Sequence, residues 1–280
     1  MGASGEPSAT SRVGPSAGET LVVKICGLRS VAVAVAAVEA GADLLGFNFA
    51  PVSKRRVSPD VAREAIASCR ELHPGVETAG RGRGHRLLSR RPAMIGVFVN
   101  QDASEIREVS RHCRLDAVQL SGDESVADCR AIGAETGLPV IKAVRLGQQR
   151  ADEDGGDEAY AAYSGAGGVA ALLVDTPGSG TWGGTGQGWE WGRAAPIAQR
   201  VPLLLAGGLN AGNVRDAVAA VWPWGVDVAS GVETAGETDA LKVAAFILRA
   251  KSASQRGGMG DPPAALSGPQ RKIFPFHDMC

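Results

Sequence analysis

The amino-acid sequence predicts an α/β protein built as one (βα)8 TIM barrel, a single domain with disordered N- and C-terminal extensions, and three observations carry that prediction. Short β-branched or apolar runs alternate with longer alanine-rich stretches of helical period. The alternation repeats eight times between Leu21 and Lys251. Eight strand and helix units in one core of this size favour a closed barrel over a doubly wound open sheet.

Strands are expected at Leu21 to Ile25, Leu44 to Phe49, Met94 to Val99, Ala117 to Leu120, Val140 to Ala143, Ala171 to Val174, Leu203 to Ala206 and Val226 to Ala229. Helices are expected at Val31 to Ala40, Pro59 to Glu71, Ala103 to His112, Glu124 to Thr136, Glu190 to Ala198, Ala211 to Val221 and Asp239 to Ala250. Ser58 followed by Pro59 reads as an N-cap with proline at the first helical position. The fifth crossover is weaker, because Gly147 to Gly168 holds the charged stretch Asp152 to Glu158 before a short Ala/Tyr piece.

Residues 1–19 are rich in Gly, Ser, Ala and Pro and read as a disordered leader, and residues 252–280 read as a disordered tail. The barrel then occupies 20–251, with a Gly/Arg-rich insertion at 74–92 read as a solvated loop on the N-terminal face of the strands. With 280 residues, 44% of them hydrophobic, the chain buries a large core without staples.

The net charge of -1, with both signs dispersed, gives no nucleic-acid or membrane footprint, so an anionic ligand has to be held locally. Five cysteines, odd in number and unevenly spaced, show no zinc or disulfide pattern, and no signal or membrane-spanning segment is apparent. A cytoplasmic protein is expected.

In a barrel, functional residues stand where strands end. The first strand ends on Cys26 followed by Gly27; buried cysteines are usually inert, but a thiolate is a good base where its surroundings favour ionisation. The second is followed by Lys54, Arg55 and Arg56, where an arginine suits a carboxylate and a solvated loop is the plainer alternative. The sixth ends on Asp175 before the glycine-rich loop Gly178 to Gly186, which reads as functional rather than turn-forming. After the seventh and eighth strands come Gly207-Gly208 and Ser230-Gly231, where backbone N–H groups can approach a phosphate.

Taken in order, these segments resemble the phosphoribosylanthranilate isomerase family of tryptophan biosynthesis. The resemblance runs through Val23 to Gly27, Gly41 to Phe47, Ser53 to Arg55, Gly96 to Asn100, Gln119-Leu120, Leu173 to Asp175, Gly183 to Gly186, Ala206 to Leu209 and Asp227 to Glu233. It implies an aldose-ketose isomerase performing an Amadori rearrangement of N-(5-phosphoribosyl)anthranilate. It also implies Cys26 as general base, Asp175 as general acid, Arg55 on the anthranilate carboxylate, and Gly207, Gly208, Ser230 and Gly231 at the phosphate.

The implied partner is a small phosphorylated substrate, with no metal, nucleotide or redox cofactor, because the substrate nitrogen is the electron sink. Monomer and homodimer stay open. The chemistry asks for a raised pKa at Asp175 and a lowered one at Cys26. Lys24 is not expected to supply the cation for Cys26, since alternate residues flank it on the strand.

The chain departs from the family pattern at Ser121, where Gln-Leu-His-Gly is common, and at Arg29, where threonine often follows Cys-Gly-Leu. Two other readings are a ProFAR-type isomerase of histidine biosynthesis, disfavoured by cysteine at position 26, and a catalytically silent phosphosugar-binding barrel.

Overall fold

The computed structural model describes residues 21–74, 76–77, 90–145, 163, 169–175 and 190–255. Eight parallel strands close into a barrel: β1 Val22–Cys26, β2 Leu44–Asn48, β3 Ala93–Phe98, β4 Ala117–Leu120, β5 Val140–Arg145, β6 Ala171–Asp175, β7 Leu203–Ala206 and β8 Gly225–Val228. Each strand pairs with its neighbours in sequence, and β8 closes the barrel on β1 with Lys24 opposite Asp227.

The alternation of a β-strand sorts these side chains into two cores. Val22, Leu44, Ala93, Ile95, Ala117, Ile141, Ala171, Leu173, Leu204 and Ala206 pack together inside the barrel. Val23, Ile25, Leu45, Phe47, Leu172, Val174, Leu205, Val226 and Val228 face outward and pack with residues of the helices. Both sets are buried, which is why the strands read as nearly continuous apolar runs. The same alternation points Lys24, Cys26, Gly46, Asp175 and Asp227 inward.

The helices are α1 Val31–Glu39, α2 Pro59–Leu72, α3 Ala103–Cys113, α4 Val126–Thr136, α5 Ala195–Ala198, α6 Val214–Val221 and α7 Ala240–Gln255. In α2 the Ser58 Oγ accepts from the Val61 N–H at 3.3 Å, and Ala62, Ala65, Ile66 and Cys69 form the buried stripe. Burying Ile66 alone is worth roughly 1.5–3 kcal/mol.

Three helices start later or run differently than the sequence predicts. α4 begins at Val126, because Ser125 and Asp128 form a capping box, and Glu124 turns inward instead of opening the helix. The segment expected as one helix over 190–198 is a 3-10 turn, Glu190–Ala194, followed by the single turn of α5 with Pro196 in its first turn. α6 starts at Val214 because Asn210, Gly212 and Asn213 are tied into a turn by their own side-chain hydrogen bonds.

The last helix continues to Gln255, past the expected boundary at Lys251. Within the insertion, Val76–Glu77 pairs antiparallel with Arg90–Arg91 directly ahead of β3. The leader, the remainder of the tail and insertion, the charged stretch 152–158 and the loop 178–186 lie outside the described residues. Among the described residues no helix is long and apolar enough to cross a membrane.

Candidate active site

At the C-terminal end of the barrel a cavity of about 590 Å3 is lined by residues that include Arg55, Gln119, Ser121, Asp175, Gly207, Gly208, Asp227 and Ser230. Cys26, at the end of β1, is a half-buried free thiol; it is not among the lining residues, but Arg55 and Asp227, which are, both act on its charge. Lys24 and Cys26 are two residues apart on a strand, so both side chains point to the same face. The expectation that Lys24 does not supply a cation for Cys26 is therefore wrong: its charge acts on the thiol.

Lys24 is fully buried, and its Nζ donates to Asp227 Oδ1 at 2.7 Å. Gly46, the neighbour of Cys26 across β2, makes room for this group. A methyl at Gly46 would stand 2.8 Å from Cys26 Sγ and 3.2 Å from Lys24 Nζ. Taking one charge from this buried pair would cost about 3–5 kcal/mol, since the other would be left uncompensated.

The electrostatics correct a second expectation. Burial pushes the Cys26 thiol above its ordinary value, and although Lys24 and, more weakly, Arg55 oppose this, the net direction is upward rather than downward. Asp175 behaves as expected. Loss of water around its carboxyl raises its pKa, the Asp227 carboxylate raises it further, and Arg145, its partner on β5, offsets part of the rise. Cys69, Cys113 and Cys129 are buried thiols pushed up to about 11, which fits packing rather than reactivity.

Arg55 reaches the cavity from the loop after β2 and is held by Glu233, its Nε donating to Oε1 at 2.5 Å and its Nη2 to Oε2 at 3.0 Å. The Arg55 stem lies over Gly27, whose φ is +84° and where a Cβ would come within 2.4 Å of Arg55 Cδ. Glycine after the cysteine thus serves the arginine as well as the turn. Arg29, one of the two departures, donates to Gly236 O at 2.7 Å and to Lys54 O at 3.5 Å and pairs with Glu237 at 2.7 Å. It fastens the loops after β1, β2 and β8 to one another.

Gly207 and Gly208 adopt left-handed backbone, with φ of +92° and +62°. Asn213, almost wholly buried, fixes that turn by donating to Gly208 O at 2.9 Å while accepting from the Asn210 N–H at 2.8 Å. Gly231 does not line the cavity; a Cβ there would fall 1.8 Å from Leu209 O, so the loops after β7 and β8 touch backbone to backbone. Among the described residues, the N–H groups of Gly208 and Ser230, which do line the cavity, make no hydrogen bond to the protein and are left for a ligand.

Across the cavity, Ser121 accepts from Gln119 Nε2 at 3.0 Å. Below them Lys142 Nζ is tied to Glu124 Oε2 and Gly122 O, both at 2.6 Å, while Glu124 also accepts from the N–H groups of Asn100 and Gly122. This buried cluster braces the loop after β4. Among the described residues, no group of three or more His, Cys, Asp or Glu is placed to hold a metal ion.

Comparison with known proteins fits this geometry. Residues 84–249 match the model of the family described as N-(5'phosphoribosyl)anthranilate (PRA) isomerase. The N-(5'-phosphoribosyl)anthranilate isomerase of Roseiflexus sp. (strain RS-1) is 43% identical over 233 residues, 83% of this chain and 99% of the relative. The chain belongs to the PRA isomerase family. A further family member, from Myxococcus xanthus (strain DK1622), is 42% identical over 234 residues, 82% of this chain and 96% of its own length.

Among solved PRA isomerases, that of Thermotoga maritima is 35% identical with a TM-score of 0.65, covering 83% of this chain and 99% of its own. Another, at 33% identity and a TM-score of 0.62 over 83% of this chain and 99% of its own, is a complex with reduced 1-(o-carboxyphenylamino)-1-deoxyribulose 5-phosphate.

Proposed function

We propose that this PRA isomerase family member converts N-(5'-phosphoribosyl)anthranilate to 1-(2-carboxyphenylamino)-1-deoxyribulose 5-phosphate, with Asp175 as general acid and Cys26 as general base. The observation that carries the reading is the inward placement of both groups at strand exits on one end of the barrel: Asp175 on β6 lines the cavity, and Cys26 on β1 stands against Asp227 and Arg55, which line it too.

The reaction divides into two proton transfers. Protonated Asp175 gives its proton to the furanose ring oxygen as the C1′–O bond breaks, and the anthranilate nitrogen lone pair forms the C1′=N bond. The Cys26 thiolate then removes the C2′ proton, and the C–H electrons make C1′=C2′ while the C=N electrons return to nitrogen. The enolamine tautomerises to the ketone, so atoms and electrons balance without an external oxidant. Each of the two proton transfers is worth roughly 100- to 10,000-fold in rate.

The upward direction of the Asp175 pKa is the one that a proton donor requires. Arg55 is assigned to the anthranilate carboxylate: with Nε and Nη2 engaged by Glu233, its Nη1 hydrogens remain for a ligand. Gly207, Gly208 and Ser230 are assigned to the phosphate through the backbone, with Gly231 acting by close packing of the loop. The dwelling place of the protein is proposed to be the cytoplasm, in keeping with a small-molecule biosynthetic step.

Complementation tests the reading. The gene is expected to restore growth without tryptophan to a strain lacking its own PRA isomerase, and failure with soluble, folded protein would favour a silent phosphosugar-binding barrel.

A further inference from the structure

The proposed proton transfers leave unused the most deeply buried charge among the described residues. Lys24 has no solvent exposure, and an ammonium in an apolar core is tolerated only with a partner. Asp227 is that partner, yet an ion pair for the sake of the fold could stand at any layer of the barrel. This one stands in the layer directly beneath Cys26. Gly46 contributes no side chain there, so Sγ and Nζ face the same small gap, 2.8 and 3.2 Å from where a Cβ would be.

We propose that Lys24 is the positioning cation of Cys26, held beneath Sγ by Asp227 so that the thiolate forms against a fixed positive charge. This rests on the reading of Cys26 as the base. Lys24 does not touch the reacting atoms; it acts through the sulfur.

The groups facing the sulfur are Lys24 from β1, Asp227 from β8 and Arg55 from the loop after β2, the last already neutralised by Glu233. Gly46 adds nothing from β2. Burial is the strongest influence and disfavours the thiolate, Lys24 is the strongest opposing one, and the charge of Asp227 works against Lys24 to a smaller degree. Burial also acts to lower the pKa of Lys24 itself, but Asp227 and the Cys26 sulfur outweigh it and the net direction is upward. The amine therefore stays charged and does not compete with Cys26 as a base. Asp227 meanwhile faces Asp175 and favours its protonated form, so one buried pair biases acid and base alike.

The test is the pH dependence of iodoacetamide alkylation at Cys26, followed by mass spectrometry of the Cys26 peptide, in the wild-type protein, Lys24→Met and the double variant Lys24→Met/Asp227→Asn. The double variant removes both charges and keeps the measurement available should the single variant, with Asp227 buried alone, fail to fold. The alkylation midpoint is expected to rise by about one pH unit or more in each folded variant, a tenfold fall in thiolate. Turnover at neutral pH should fall about as far, with a smaller change in KM. An unchanged midpoint in the folded double variant overturns the proposal. Wild-type turnover in Cys26→Ser would instead remove the base reading while leaving a measured shift in Cys26 acidity intact, so the two failures are distinguishable.

Discussion

Gly46→Ala adds one methyl group at the point where the thiol and the ammonium meet. The new carbon would sit 2.8 Å from Cys26 Sγ, 3.2 Å from Cys26 Cα and 3.2 Å from Lys24 Nζ, whereas ordinary contact begins at 3.4 Å. Sγ therefore has to withdraw by about 0.6 Å or more. The backbone offers little relief, because Gly46 O accepts from both Gly27 and Leu28 N–H, at 2.9 and 3.0 Å, and pins the two strands together. Misplacing a reacting group by about 1 Å costs on the order of 100-fold in rate, so turnover should fall by roughly 10- to 100-fold. Overpacking adds a stability loss of about 1–3 kcal/mol, readable as a lower Tm. The assay is steady-state turnover of phosphoribosylanthranilate, with Gly192→Ala as a control because a Cβ there meets nothing within 4 Å. A folded Gly46→Ala protein with wild-type kcat and KM would refute the placement of Cys26 as base.

The proposed mechanism requires Cys26 ionised and Asp175 protonated, whereas a carboxyl is by nature a stronger acid than a thiol and both are shifted upward. The kcat/KM profile should therefore be a bell whose acid limb follows the carboxyl and whose alkaline limb follows the thiol, and raising the thiol midpoint by one unit should lower the plateau tenfold. A plateau that stays level while the alkaline limb moves would contradict this assignment. Gly231→Ala places a Cβ 1.8 Å from Leu209 O, so affinity for the phosphorylated product should drop at least about tenfold by calorimetry, and unaltered affinity would place the phosphate elsewhere. Arg55→Ala removes the assigned carboxylate partner and leaves Glu233 alone; KM is expected to rise about tenfold or more with a smaller loss in kcat, and an unchanged KM would free the arginine of that role.

The barrel was legible because each strand is buried on both faces and each turn of the pattern repeats. Where boundaries shifted, side-chain hydrogen bonds decided them: Ser125 with Asp128 ahead of α4, and Asn210 with Asn213 ahead of α6. The glycine loops and Asp175 were legible because they follow strands directly. The Lys24 and Asp227 pair was not, although the signal was present in the two-residue spacing of Lys24 and Cys26 on one strand. Seeing Asp227 opposite Lys24 requires barrel closure of β8 on β1, 203 residues away in sequence. A similar separation hid Glu233, 178 residues beyond Arg55, and with it the fact that the arginine is already half engaged. Arg29, a departure from the family pattern when read alone, makes sense only with the loop of Gly236 and Glu237 beside it.

Single-turnover kinetics on Cys26→Ser and Asp175→Asn decide whether these two side chains perform the proposed proton transfers. Each variant is expected to bind the phosphorylated product normally and to lose at least about 100-fold in the chemical step, roughly 2.7 kcal/mol. Wild-type turnover in either variant would remove that residue from the proton transfer assigned to it.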